Sequence, residues 1–84
     1  MPLSDEERAV LEFEARHPEV GPAKNQAVRT QLQLSPVRYY QLLSRLADSG
    51  DALQFDPVLV HRLRRIRERE LRERSTRAAP RTHH

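Results

Sequence analysis

The sequence predicts an all-α fold, a four-helix domain over residues 1–74 followed by a disordered basic tail over residues 75–84. Two observations support this fold class. Apolar residues recur at helical spacing in four segments, and the starts of these segments carry capping residues or a proline at the first helical position. No segment reads as a strand. The predicted helices cover about residues 4–17, 22–32, 36–48 and 57–74.

Length and composition restrict the class of protein. A chain of 84 residues forms one small domain, whose core is too limited to hide a deep catalytic pocket. There is no cysteine, so disulfides and thiolate metal sites are excluded. No apolar run approaches the ~20 residues of a membrane span, and no signal-peptide pattern appears. We therefore expect a protein of the cytoplasm, located at the nucleoid, with no membrane contact and no cofactor.

The charge is unevenly distributed along the chain. The net charge is +3, but residues 1–20 hold six acids against two arginines, whereas residues 61–84 hold nine arginines against three glutamates. A basic end indicates an anionic polymer as partner. Fourteen of the fifteen bases are arginine, which favours bidentate phosphate and guanine contacts. A GC-rich coding sequence would produce the same bias, and both interpretations stay open.

The first predicted helix has a complete start signal. Ser4 can cap it and Glu7 completes a capping box. Its apolar face carries Val10, Leu11 and Phe13. Pro18 and the pair Gly21-Pro22 then end this helix and begin the second.

The second and third predicted helices are joined by a very short turn. The second buries Ala27, Val28 and Leu32. Ser35 caps the third, Pro36 opens it, and Leu34 can staple to Tyr39. The third helix is amphipathic, with its apolar stripe at i, i+3, i+4 and i+7: Tyr39, Leu42, Leu43 and Leu46.

The fourth predicted helix begins with the same chemistry, since Asp56 caps and Pro57 opens it. Its inner face carries Leu59, Leu63 and Ile66. Beyond Ile66 only Leu71 is apolar, and we expect fraying near Ser75-Thr76.

Helices two and three match the pattern of a helix-turn-helix. The usual helix-turn-helix pattern covers 20 residues and has apolar side chains at five of them. When the pattern is aligned to begin at Asn25, these five positions hold Val28, Leu32, Leu34, Tyr39 and Leu42. The sequence departs from the pattern at two positions. Arg29 stands where a small residue is usual, and Gln33 stands where the turn usually has glycine. Gln33 must therefore adopt a backbone conformation that glycine would accept more cheaply, or the turn differs slightly from the usual one.

This arrangement predicts a DNA-reading surface on the third helix. Its outward residues suit the major groove, where Gln41 can pair with adenine and Arg38 or Arg45 with guanine or phosphate. The predicted base-reading residues are Val37, Arg38, Tyr40, Gln41, Ser44 and Arg45. The predicted phosphate contacts are Lys24, Asn25, Arg62, Arg64, Arg65, Arg69 and Arg72.

A family resemblance rests on several short runs of this sequence. They are Ala23-Lys24, Ala27-Val28-Arg29, Leu34-Ser35, Arg38-Tyr39-Tyr40-Gln41, Asp56-Pro57, Leu59-Val60 and Arg62-Leu63-Arg64-Arg65. Over about residues 5–75 the chain resembles a family of short actinobacterial proteins of uncharacterised function. The Arg-Tyr-Tyr-Gln run is the most specific part, whereas Ala15-Arg16-His17-Pro18 stands where bulky aromatics are expected. The resemblance implies a helical, DNA-associated cytoplasmic protein of a GC-rich bacterium, with no catalytic residue.

Sequence reasoning thus predicts a small transcriptional regulator or nucleoid-associated protein that binds double-stranded DNA. An enzyme is not expected, because no catalytic constellation or metal-ligand spacing appears. The alternatives are a protein-interaction module that docks on the transcription machinery or another partner, and RNA binding through Tyr40. Tyr40 also has a plain interpretation, as a half-buried ring against the first or fourth helix. A homodimer seam would use Leu59, Leu63, Ile66 and Leu71, unless the first three are needed by the monomer's core.

Overall fold

The helical segments follow one another with short connections. The computed structural model describes residues 2–78 and contains no strand in that range. An all-α fold is confirmed. The elements are α1 (Asp5–Arg16), α2 (Pro22–Ala27), a π-helical turn (Val28–Leu32), α3 (Pro36–Leu46), α4 (Gly50–Phe55) and α5 (Pro57–Ala78).

Three of the four predicted helix starts are capped by side-chain hydrogen bonds. At α1 the Glu7 N–H donates to Ser4 Oγ at 3.0 Å, and the Ser4 N–H donates to Glu7 Oε1 at 2.9 Å. At α3 the Arg38 N–H donates to Ser35 Oγ at 3.1 Å. At α5 the Leu59 N–H donates to Asp56 Oδ1 at 3.1 Å. Each cap satisfies a backbone donor that the first turn of a helix leaves without a partner.

The helix α4 is a correction to the predicted count of four helices. It lies between the third and fourth predicted helices, and Ser49 caps it: the Ala52 N–H donates to Ser49 Oγ at 3.2 Å. Ala52 is fully buried in the core. With six residues, α4 is too short to be stable by its own propensity, and tertiary packing stabilises it.

The ends of the predicted helices also shift. The second predicted helix divides into α2 and the π-helical turn, and α3 ends at Leu46 rather than near residue 48. The helix α5 continues through Ser75 and Thr76 to Ala78, beyond the end predicted near residue 74. The rest of the predicted tail, residues 79–84, lies outside the described residues.

The turn between the π-helical turn and α3 is made by Gln33. Its φ of 58° and ψ of 36° place it in the left-handed region, the conformation that glycine would adopt more cheaply. Its N–H donates to the carbonyl of Val28, five residues earlier. The strained Gln33 backbone expected from the helix-turn-helix pattern is confirmed.

The core lies around α3, which packs against both α1 and α5. Tyr39 is fully buried, and its ring meets that of Phe13 edge to face with centroids 5.6 Å apart. The apolar residues that form the buried cluster are Val10, Leu11, Phe13, Val28, Tyr39, Leu42, Leu43, Leu46, Ala52, Leu59 and Val60. Because these side chains hold one side of α3, the opposite side is left facing solvent.

Candidate nucleic-acid interface and a buried polar junction

The solvent-facing side of α3 carries five of the six residues predicted to read bases. We call it the outer face of α3. Val37 is 69% exposed although it is apolar. The polar members are exposed as well, and they comprise Arg38, Gln41, Ser44 and Arg45. The structure therefore brings hydrogen-bond donors, an amide and one apolar side chain together on a single helical surface.

Tyr40 lies at the border of this face rather than on it. Its ring packs edge to face on Tyr39 with centroids 5.0 Å apart, and Lys24 Nζ lies 5.8 Å from its centroid. Partial burial raises the pKa of Tyr40, and the nearby charge of Glu14 raises it further. Tyr40 is 36% exposed, so it remains at the surface while part of its ring packs on these neighbours.

Lys24 does not have the role that the sequence predicted. Its ammonium is buried and donates a 2.6 Å hydrogen bond to Glu14 Oε1, so it is not exposed for a phosphate. Neighbouring Asn25 is half-buried, and its Oδ1 is buried without a hydrogen-bond partner among the described residues. The phosphate site predicted at the start of the second helix is corrected for Lys24.

Glu14 is the centre of a buried polar junction. Only 4% of it is exposed, and its Oε1 accepts hydrogen bonds from Lys24 Nζ and, at 2.5 Å, from the hydroxyl of Tyr39. Arg62 Nη2 donates to the Glu14 carbonyl at 3.3 Å and lies 3.9 Å from Oε2. We call these four residues the Glu14 junction. It connects α1, α2, α3 and α5 through one carboxylate.

Burial is costly for these groups unless each is paired. A buried carboxylate needs hydrogen-bond donors or opposite charge around it, and the junction supplies both. Burial raises the pKa of Tyr39 well above its usual range, and the hydrogen bond to Glu14 raises it further. Tyr39 therefore stays protonated and donates its proton to the carboxylate.

Sequence reasoning missed this junction, although a signal was present. Glu14 falls four residues after Val10, on the apolar face of α1, and Lys24 falls four residues before Val28, on the apolar face of the next segment. Two opposite charges, each placed within an apolar stripe, indicate a buried pair. Lys24 is also the one lysine among fifteen basic residues.

Six of the arginines of α5 divide into two groups of three. The first group fastens α5 to the ends of α1 and α3. Arg62 donates to the Glu14 carbonyl, Arg64 Nε donates to the Ala47 carbonyl at 2.6 Å, and Arg67 donates to the Ser44 carbonyl at 3.4 Å. Carbonyls in the last turn of a helix lack intrahelical partners, so these contacts satisfy them. The predicted phosphate contacts Arg62 and Arg64 are therefore already used within the domain.

The second group consists of Arg65, Arg69 and Arg72, which we call the arginine ridge. All three are exposed, and they make no hydrogen bond or ion pair with the described residues. Spacings of four and three residues place them on one side of the helix. The ridge is the part of the predicted phosphate surface that remains available to a partner.

Arg67 also forms a two-pronged ion pair with Asp48. Its Nη2 and Nη1 lie 2.7 and 2.9 Å from the two carboxylate oxygens. Hydrogen bonding from Arg67 lowers the pKa of Asp48 despite some opposing desolvation. This pair anchors α5 to the turn after α3.

The described residues contain no cluster of three or more potential metal ligands. Within the same range, every helix is too short or too polar to cross a membrane.

The fold and surfaces define an all-helical domain with an exposed polar face on α3 and an arginine ridge on α5. The chain belongs to the family described as protein of unknown function DUF3263, which it matches over residues 2–75. No curated protein and no solved structure matches the sequence.

Proposed function

We propose that this protein binds double-stranded DNA, with α2, the π-helical turn and α3 acting as a helix-turn-helix. In this proposal α3 enters the major groove and the arginine ridge contacts phosphates. The protein would act as a small transcriptional regulator or a nucleoid-associated protein of the cytoplasm.

The observation that carries the proposal is the composition of the outer face of α3. Its exposed side chains include Gln41, whose amide matches the adenine edge, and Arg38 and Arg45, which match guanine or phosphate. Val37 is exposed without a packing role and suits a thymine methyl group. No acidic residue occurs from residue 25 through 47, so nothing on this segment repels the phosphates.

The arginine ridge supports the same partner. Arg65 and Arg72 are seven residues apart, which is about 10 Å along a helix. Since each DNA strand carries one phosphate per ~3.4 Å of its axis, the ridge spans about three phosphates. Its arginines are not engaged within the domain, in contrast to Arg64 and Arg67, so their charge is available for this role.

Selection from a random pool of duplexes, followed by affinity measurements on the selected sequence, tests the assignment of α3. Replacing Gln41 and Arg45 together by alanine should remove sequence preference, at ~1–3 kcal/mol of discrimination for each bidentate contact. The matched control replaces Gln54 and Arg16 by alanine. It changes the same residue types and charge at exposed positions of α4 and α1.

The control should bind the selected duplex as the parent does. If the α3 variant also retains the parent's sequence preference, the assignment of α3 to the major groove is wrong.

A protein partner is the second candidate, and the far half of α5 favours it. Residues 68–76 are all exposed, and Leu71 among them is 51% exposed. Helical segments without packing are marginal in water, so this half gains stability from a partner. A homodimer would have Ile66 and Leu71 for its seam, because Leu59 is buried in the monomer and Leu63 packs against its core.

Truncation after Glu68, which retains the anchoring Arg67 and removes Arg69, Leu71 and Arg72, separates the two candidates. For a DNA partner, the shortened protein should bind every duplex more weakly and with a smaller dependence on salt. For a protein partner, DNA affinity should not change with truncation, while any self-association measured by sedimentation should be lost.

A further inference from the structure

A groove of about 210 Å³ lies between α3, α5 and the loop that joins α1 to α2. Its walls are largely apolar. Leu43 contributes from α3, Leu63 and Ile66 from α5, and Val20 from the loop. Val20 is 81% exposed and has no role in the core. The groove is separate from the outward-pointing arginine ridge on α5.

Two buried charges line the same groove: Glu14 and Lys24. The two carboxylate oxygens of Glu14 are not equally engaged. Oε1 accepts two hydrogen bonds, whereas Oε2 accepts none and lies 3.9 Å from Arg62 Nη2. An ammonium carries three N–H donors, and Lys24 uses one of them on Glu14. The groove therefore offers one unused acceptor beside unused donors, within an apolar wall.

We propose that this groove binds a free α-amino acid with an apolar side chain. The ligand's ammonium would donate to Glu14 Oε2, and its carboxylate would accept from Lys24 Nζ. Its side chain would lie along Leu43 and Ile66. A ligand with both charges matches a pair of opposite charges, whereas a simple amine or a simple acid would leave one member of the pair unmatched.

The volume fits a ligand of this size. A protein cavity of about 150 Å³ admits benzene, so a groove of about 210 Å³ accommodates a benzyl or isobutyl side chain with the polar end beside Glu14. For a ligand of this size in an open groove, we expect a Kd on the order of 1 mM.

Nuclear magnetic resonance titration of the whole 84-residue chain, without nucleic acid, tests the site. Phenylalanine and leucine should shift the amide signals of Leu43, Ser44 and Ile66. Three comparison compounds each lack one feature: 2-phenylethylamine lacks the carboxylate, 3-phenylpropanoate lacks the ammonium, and glycine lacks the side chain. Each should bind at least about tenfold more weakly, because each loses one set of contacts.

The variant Ile66→Trp fills the groove and leaves the buried charges unchanged, so it should abolish binding. The control Val58→Trp adds the same ring on the same helix at a position that is 76% exposed, and should bind as the parent does. Thermal melts establish that both variants fold. Binding that survives in Ile66→Trp, or equal affinity for phenylalanine and for either single-charge compound, would overturn the proposal. Because the assay contains no DNA, that result leaves the proposed DNA-binding function standing.

Discussion

The Glu14 carboxylate accepts a 2.6 Å hydrogen bond from the buried ammonium of Lys24, ten residues further along the chain. Tyr39 donates to the same oxygen, so one atom connects α1 and α2 to the helix proposed to read DNA. In a domain this small, such a junction fixes how the helices sit relative to each other. The orientation of α3 therefore depends on charges that lie behind its outer face.

Replacing Glu14 by leucine should destabilise the protein by about 3–5 kcal/mol, because the change leaves Lys24 buried and unpaired. Urea unfolding followed by circular dichroism measures the loss. The control Glu12→Leu changes an exposed residue of the same helix and should shift the free energy of unfolding by less than ~0.5 kcal/mol. The double variant Glu14→Leu with Lys24→Met should regain much of the loss. A double variant no more stable than Glu14→Leu alone would argue against the pair as the cause.

Alkaline pH should destabilise the protein through Tyr39. Its folded pKa is raised above the ordinary value of about 10, so its contribution is complete below pH ~10. Above that pH the unfolded chain releases the proton that the folded state retains, and stability falls. Tyr39→Phe should reduce this loss of stability at alkaline pH. At neutral pH it should lower the free energy of unfolding by about 1.5–3 kcal/mol, the value of a hydrogen bond to a charged group.

Thermal melting across the alkaline range provides the measurement for Tyr39, with Tyr40→Phe as the matched control. The control retains the Tyr39 hydroxyl and should therefore keep most of the loss of stability at alkaline pH. If Tyr39→Phe loses as much stability at alkaline pH as the parent does, another group causes the loss.

The ion pair between Asp48 and Arg67 should contribute to stability at neutral pH and lose its effect in acid. The pKa of Asp48 is lowered, so the contribution is complete above the unfolded value of about 4 and disappears as pH falls through the folded pKa. Asp48→Asn should make the melting temperature less dependent on pH below ~4. The control Glu73→Gln, at an exposed position of α5, should leave that dependence unchanged. If the melting temperature of Asp48→Asn depends on acidic pH as that of the parent does, the assignment to this ion pair is wrong.

Gln33→Gly should stabilise the domain. A left-handed conformation costs a non-glycine residue about 1–2 kcal/mol, part of which glycine offsets by its greater freedom in the unfolded chain. We expect a net gain of about 0.5–1 kcal/mol in urea unfolding. Gln31→Gly, within the π-helical turn, should instead lose stability, and a loss in both variants would contradict the proposed source of strain.

The sequence predicted features that depend on local chemistry. The caps at Ser4, Ser35 and Asp56 follow from side-chain oxygens near the first turn, and the structure confirms all three. The same is true of buried Tyr39, whose position follows from helical spacing, and of Gln33, whose conformation follows from the missing glycine.

Features that depend on contacts between distant residues were not predicted. The helix α4 is stabilised because Ala52 packs in the core. The six-residue sequence of α4 does not reveal this contact. Lys24 looked like an exposed cation because its partner Glu14 belongs to a different helix. The arginines of α5 look alike in sequence, and only the position of α3 separates Arg64 from Arg65.

The salt dependence of duplex DNA affinity, measured by fluorescence anisotropy, tests the central claim most directly. The parent should bind DNA with an affinity that falls steeply with salt, by a logarithmic slope of ~0.9 for each phosphate contact. Replacing Arg65 and Arg69 by glutamine should reduce that slope by about 1.8. The control, Arg8→Gln with Arg16→Gln, removes equal charge from exposed positions of α1 and should keep the parental slope. A parent protein that shows no salt-sensitive binding to duplex DNA at micromolar concentration would contradict the account.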